Sequence, residues 1–407
     1  MIPKRSAEAW LSAARQRLPE ALSFLQDLVR IPSVNGRESE AAVSLRVAQE
    51  AERLGFAARL VALDAQRPNV LAQWGSGPAG FVFVGHLDTV AEGSAAAWTH
   101  PPFAAELAGD TLYGRGTADN KAGLACGLYT MALLRDLGAL DPARVRLQLA
   151  GVVDEESGAS SKLGVRYLLD QDLLQPARGA IYTYASDIVC VGHRGLLRLV
   201  LRAAGKAIHS GSPQWSRGEG GVNAVTGLAE LLLRLERLRL PAPRHPAFKG
   251  LNCRLTPGTV FRGGEFESMV PSAAEALVDV RLMPGQPGEA VIAAVQAEIG
   301  AVEARRPGLK ISLEVKNNLP GVALPADHLL VRTAARWTKR VTGQAWPIAG
   351  AGPANEGYML IQAGIPTLCG FGPTGGNAHA PDEWVSLDSL PATIAMYAGI
   401  LSDYLVQ

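Results

Sequence analysis

Paired cysteines are missing from this sequence. Its four cysteines, Cys126, Cys190, Cys253 and Cys369, are scattered and form no CxxC, which argues against a thiolate zinc site or a disulfide framework. They read as small buried fillers in a reducing compartment. An excess of either charge is missing too. Lys and Arg number 39 against 38 for Asp and Glu, so neither nucleic acid nor an anionic membrane is called for as a partner. No stretch approaches the roughly 20 apolar residues of a membrane span. The opening MIPKRSAEAW lacks the apolar centre of a signal peptide and runs straight into amphipathic sequence, so a cytoplasmic, soluble chain is expected. Repeats and low-complexity tracts are absent.

What is present is an ordinary globular balance, 48% hydrophobic and 19% charged. At 407 residues the chain exceeds a single core, so two domains are expected. The organising stretch is Phe81–Val90, FVFVGHLDTV. Phe81, Val82, Phe83 and Val84 form a run that reads as a strand buried on both faces, ended by Gly85. His86 and Asp88 follow at the place where an open α/β sheet holds its ligands, the carboxyl end of a strand. Two residues apart in extended chain, they share a face. The pair reads either as a histidine salt-bridged to its neighbour or as a metal ligand whose ring the carboxylate orients.

Helical spacing over Ser6–Leu28 and Glu38–Leu54 alternates with strands at Val70–Trp74 and Phe81–Val84, the pattern of an α/β domain. Asp119 lies in LYGRGTADNKAG, a tight loop before the helical run Leu124–Leu137. As an N-cap it is worth ~1 kcal/mol, and such loops also carry function. The strand Arg146–Val153 ends in Asp154, Glu155 and Glu156, three carboxylates that repel one another unless something positive sits among them. A solvated acidic turn is one reading. The other is that these acids, His86 and Asp119 all arrive at one sheet edge, where a nitrogen-and-oxygen ligand set suits zinc, cobalt or manganese. His379 sits in the turn-filled FGPTGGNAHAPDEW.

After the strand Gly179–Tyr184 the texture changes. Leu196–Ala203 alternates with period two, Asn223–Leu240 and Glu289–Ile299 read as helices, and strands recur near Thr259–Phe261, Glu275–Leu282 and Lys310–Val315. That content suits a ferredoxin-like α/β sandwich. The expected organisation is a catalytic domain of residues 1–194 and 316–407, with a second domain of residues 195–315 inserted.

Taken in order, GHLDTV, LYGRGTADNKAG, VVDEESG, GKAIHSG, MVPS with VDVRLMPG, and NAHAPDEWV resemble the co-catalytic dizinc peptidase family that includes acetylornithine deacetylase, succinyl-diaminopimelate desuccinylase, aminoacylase and glutamate carboxypeptidase. The resemblance covers nearly the whole chain. It implies a mixed-sheet zinc-peptidase domain carrying an inserted lid and dimerisation domain, in a homodimer. It further implies that His86 binds the first metal, that Asp119 bridges two ions and that Glu156 and His379 hold the second. Asp88 would orient His86, and Glu155 would be the general base. His209 would reach the active site of the partner subunit, and Arg281 and Arg194 would meet a substrate carboxylate. One station departs. Where relatives carry a Glu or Asp as third ligand to the first metal, the alignment lands at Thr183 or Tyr184, and the nearest acid is Asp187. Either Asp187 swings in, or the first site has two ligands. Ser268 also replaces the asparagine common before Met269-Val270-Pro271.

The function expected is hydrolysis of an amide bond in a small N-acyl amino acid by a metal-activated water. A dipeptidase or carboxypeptidase acting on a short peptide is the near alternative. A non-catalytic ligand-binding relative is the distant one, since such a protein has no use for Glu155. Gly350–Gly357 lacks the lysine and hydroxyl residue of a phosphate loop.

Overall fold

The computed structural model describes residues 5–158, 160–174 and 176–406; the first four residues of the opening segment lie outside them. Two compact units result, one of Met1–Gly192, Ala323–Ala351 and Asn355–Gln407, the other of His193–Val322 with Gly352–Ala354.

The larger unit is built on a six-stranded mixed sheet. Its order is Ala57–Val61, Asn69–Trp74, Val145–Val152, Ala79–His86, Gly179–Tyr182, Thr367–Leu368. The first two pairings are antiparallel and the rest are parallel. Phe81 to Val84 are fully buried, as an unbroken apolar run in a parallel strand requires. The helix Ser389–Tyr404 covers this strand, its Tyr397 and Tyr404 rings lying 4.9 and 6.1 Å from those of Phe83 and Phe81. Helices Ala7–Arg30, Ala122–Asp136 and Leu329–Thr342 pack around it. Each fully buried large apolar side chain contributes about 1.5–3 kcal/mol.

The strand does not stop at Gly85 but continues through His86, paired with Val152. Glycine is required there by close approach. A Cβ on Gly85 would lie 2.9 Å from Thr183 Oγ1 and 3.0 Å from Asn120 Oδ1, and one on Gly123 would meet the Thr183 carbonyl at 1.7 Å. The loop bearing Asp119 can therefore press directly onto the strand ends.

A second, small sheet joins Gly375–Gly376, Trp384–Ser386, Thr111–Tyr113 and Glu106–Ala108. Trp384 stands opposite Tyr113 and Val385 opposite Leu112. Three-residue strands carry too little periodicity to be read in the sequence. Yet this pairing brings the segment of His379 to the loop of Asp119.

The other unit is a four-stranded antiparallel sheet in the order Arg254–Gly263, Ala273–Leu282, Gly195–Ala204, Lys310–Leu319. Connected through helices Ala224–Arg237 and Gly288–Arg305, it is a ferredoxin-like sandwich. Leu197, Leu199, Leu201, Val278 and Val280 on one sheet face pack with Leu228, Leu231, Val291 and Val295 of the helices. The last strand runs on to Leu319, past the expected boundary at residue 315.

Candidate metal centre

Three parallel strands end at one edge of the mixed sheet: Ala79–His86, Val145–Val152 and Gly179–Tyr182. Each delivers polar residues into the loop that follows. His86 Nε2 lies 2.8 Å from Asp119 Oδ1, while Asp119 Oδ2 lies 3.3 Å from His379 Nε2. His379 Nε2 is in turn 3.2 Å from Glu156 Oε1. One ligand atom each from His86, Asp119 and Glu156 falls within 4.8 Å of the others. A carboxylate with one oxygen toward each histidine, and a second carboxylate beside it, is a donor set that fits one or two divalent cations, with no thiolate. The field agrees. Burial opposes charge on His86, but Asp119, Glu155 and Asp88 draw its pKa well above the usual imidazole value. Hydrogen bonds to Asp119 and Glu156 push His379 up to about 10. The site attracts positive charge.

Asp119 is not the cap of the helix that follows. Its backbone is non-helical, and that helix, Ala122–Asp136, has no side-chain cap. What fixes the loop is Glu383, from APDEW, whose buried carboxylate accepts four bonds. Oε1 takes the N–H groups of Ala118 and Asp119, both at 2.9 Å. Oε2 takes Gly116 N–H at 3.0 Å and Arg115 Nη1 at 2.6 Å. Lys121 pins the far side, its buried Nζ donating to the carbonyls of Leu28 and Ile31 at 2.9 and 3.2 Å. These are carbonyls at the C-terminal end of the first helix, where a cation is favoured. Burial nonetheless lowers the Lys121 pKa to about 8.

The three acids after Val153 part company at once. Asp154 has a left-handed backbone, φ 66°, which aspartate tolerates better than most residues, and the chain turns sharply there. Its side chain is a clip, accepting from Arg67 Nη1 at 2.8 Å, Asn35 Nδ2 at 2.9 Å and Ser161 Oγ at 2.7 Å. Arg67 is thus the positive group the cluster needs. Glu156 faces Asp119 and His379, whereas Glu155 turns inward. Burial and the neighbouring carboxylates push Glu155 up to about 8, opposed by His86. Tyr184 O–H donates to its Oε1 at 3.0 Å.

Asp88 orients His86, though not through its carboxylate. Nδ1 of His86 meets the Asp88 main-chain carbonyl at 2.8 Å, and the nearer carboxylate oxygen is 3.7 Å away. The Asp88 carboxylate is engaged elsewhere, accepting from the N–H groups of Glu155 at 3.2 Å and Glu156 at 2.9 Å, and from Asn35 Nδ2 at 2.7 Å. It fastens the very turn that carries both glutamates.

Asp187 is exposed. The position facing the centre is Tyr184, whose ring lies 5.5 Å from that of His86 and stacks on Tyr182 at 5.1 Å. The strand ends at Tyr182, two residues before Tyr184. In the inserted unit, His209 is exposed and its Nδ1 accepts from Gly211 N–H at 3.0 Å, which places its proton on Nε2. Arg281 bonds Asp279 at 2.9 Å, and Arg194 Nη1 reaches the Asn252 carbonyl at 3.4 Å.

Sequence reasoning missed Tyr184, Glu383 and Glu356. For the first, the departing station was the signal; for the others only residue type was visible. Glu356 is fully buried. It accepts from Tyr182 O–H at 3.4 Å through Oε2, and its Oε1 has no partner among the described residues. Burial, then Glu155 and Asp88, raise its pKa well above the usual carboxylate range. An acid that keeps its proton in the fold, past the pH at which the unfolded chain releases it, makes stability fall as pH rises. Glu356→Gln, which mimics the neutral acid, is therefore expected to stabilise the chain by about 1–3 kcal/mol at pH 8, and to leave it unchanged near pH 4. Urea unfolding at both pH values checks this. Equal effects at both would mean that Glu356 is ionised and satisfied in the fold.

Residues 82–403 match peptidase family M20/M25/M40. An acetylornithine deacetylase of Aliivibrio fischeri is 27% identical over 400 residues, covering 95% of this chain and 98% of that protein. A succinyl-diaminopimelate desuccinylase of Dinoroseobacter shibae is 29% identical over 397 residues, covering 95% and 100%. Among solved structures, an M20 family metallo-carboxypeptidase from Sulfolobus solfataricus superposes with a TM-score of 0.76 at 20% identity, over 95% of this chain and all of that one. A di-peptidase from Saccharomyces cerevisiae also gives 0.76, at 16% identity and 99% coverage of both. With a family match across most of its length and a donor set that suits divalent cations, this chain belongs to peptidase family M20/M25/M40 and is a metallohydrolase acting on amide bonds.

Proposed function

We propose that this enzyme hydrolyses the amide bond of a small N-acyl amino acid, using zinc, with Glu155 as general base. The observation that carries the reading is the division of labour at one strand end. Glu156 joins His86, Asp119 and His379, while its neighbour Glu155 is held apart by Tyr184. A divalent ion held by those four residues would polarise the carbonyl oxygen and acidify water. Glu155 does the proton work. Tyr184 occupies Oε1, which leaves Oε2 to take the proton of the attacking water. As water oxygen bonds to the carbonyl carbon and the C–N bond breaks, the same oxygen returns the proton to the departing nitrogen. Asp88 keeps the base in register through the main chain of residues 155 and 156. His209 of a second copy, with its proton on Nε2, would donate to the developing oxyanion.

The test is a panel of N-acetyl and N-succinyl amino acids and dipeptides, assayed with added zinc and with a chelator. Turnover of acyl amino acids that the chelator removes is expected. In the same assay His209→Ala is expected to lower kcat by about 10²–10³-fold at unchanged metal content. Dipeptides cleaved in preference would move the reading to a peptidase, and an unaltered kcat would take His209 out of the reaction.

A further inference from the structure

Two acids from different strand ends fix the turn that carries Glu155 and Glu156. Asp154 bends the chain into it, and Asp88 accepts the main-chain N–H groups of both glutamates. One side chain reaches both acids. Asn35 Nδ2 donates to Asp88 Oδ2 at 2.7 Å and to Asp154 Oδ1 at 2.9 Å. Arg67 and Ser161 serve Asp154, and the two N–H groups serve Asp88, so among the described residues Asn35 alone joins the pair. The orientation of its amide is not in question. The nitrogen carries two protons and the oxygen none, so only the nitrogen can face two carboxylates.

The backbone of Asn35 is held as firmly as its amide. Val34 forms a parallel bridge with Thr89. Asn35 N–H donates to the Thr89 carbonyl at 2.9 Å, and Thr89 N–H donates to the Ser33 carbonyl at 2.9 Å. Glu38 Oε2 accepts Val34 N–H at 2.8 Å on the other side. In the sequence, residues 31–34 are only the place where Pro32 breaks the first helix. In the fold, Ser33 and Val34 are buried beside residues 87–89, and Asn35 projects from them to the two acids. A neutral donor suits this place. It separates two like charges without adding a positive charge that would repel a cation nearby.

We infer that Asn35 is a positioning residue, which couples Asp88 to Asp154 and thereby sets Glu155 and Glu156 in place relative to His86 and Asp119. The inference rests on the proposed function for the roles of the two glutamates, and on the hydrogen bonds of Asn35 for the coupling.

Asn35→Asp exchanges one NH2 for oxygen at nearly constant shape and puts a third carboxylate between the two. Zinc affinity of the intact chain, measured by competition with a chromophoric chelator, is expected to fall about tenfold or more. At saturating zinc, kcat is expected to fall about 10–100-fold, with KM within about twofold of wild type and the circular dichroism spectrum retained. Asn35→Ala removes the donors without adding charge. Both quantities are then expected to fall about 3–10-fold, since water can replace part of what is lost, and this variant carries the test should the aspartate variant not fold. A residue that merely supports the fold would act independently of Glu155. Asn35→Asp placed in Glu155→Gln is therefore expected to lower kcat by no more than a further factor of about two. Full multiplication of the two effects overturns the inference. So does a zinc affinity, or a kcat at saturating zinc, that both Asn35 variants leave within about twofold of wild type. Should Glu155→Gln itself retain its kcat, the general-base reading fails, and the zinc titration, which needs no turnover, still decides whether Asn35 sets Glu156.

Discussion

Glu155→Gln is expected to lower kcat by about 10³–10⁴-fold while metal content and Tm stay near wild type. Glutamine keeps the shape of the side chain and can still accept from Tyr184 O–H through its amide oxygen, so the packing around residue 155 survives. What it removes is the ability to take a proton. Because Glu156, not Glu155, lies beside His379 and Asp119, the ligand set is untouched. Metal analysis of the purified variant beside its kcat distinguishes the two roles. Loss of metal in proportion to activity would make Glu155 a ligand, and the proton transfer would then need another residue.

The opposite pattern is expected of Asp119→Ala. One oxygen of Asp119 faces His86 and the other faces His379, so a single substitution strips both halves of the centre. Metal affinity should fall by more than about 100-fold, beyond the effect of removing an outer partner, and activity should not return with excess zinc. In the wild type, titration should reveal one tight site and one weak one. A second ion would be held by Glu156 and His379 besides Asp119, whereas a first would have His86 and Asp119, beside the ring of Tyr184. Two equally tight sites would mean that a ligand to the first ion has been overlooked. A variant that retains metal and turns over within tenfold of wild type would remove Asp119 from the centre.

The legibility of this chain was uneven for identifiable reasons. The strand Phe81–Val84 and the helices Ala7–Arg30 and Ala224–Arg237 announced themselves because burial selects apolar residues at regular spacing. Strands of two or three residues did not. Thr111–Tyr113 and Trp384–Ser386 are too short to show a period, and they exist because each pairs with the other. Gly85 reads as the end of a strand. It is instead a place inside the strand where Thr183 and Asn120 come too close for a side chain.

Site residues followed the same rule. Residue type and order along the chain singled out His86, Asp119, Glu155, Glu156 and His379, because each lies in a stretch whose pattern is local. Asp88 was picked out by its spacing, but its hydrogen bonds go to the backbone of Glu155 and Glu156, 67 and 68 residues away. Asp187 is the acid nearest in sequence to the departing station, and the fold sets the ring of Tyr184 5.5 Å from that of His86.

By itself, then, the order of amino acids determined the class of fold, the inserted sandwich and the residue types able to hold a cation and move a proton. Those depend on local periodicity and on side-chain chemistry, both carried by each short segment alone. Only the folded chain decided which oxygen serves which partner: Glu383 on the loop of Asp119, Arg67 on Asp154, Tyr184 on Glu155. Such pairings are made across tens to hundreds of residues by the packing of strand ends. No segment contains the information about what another will bring to meet it.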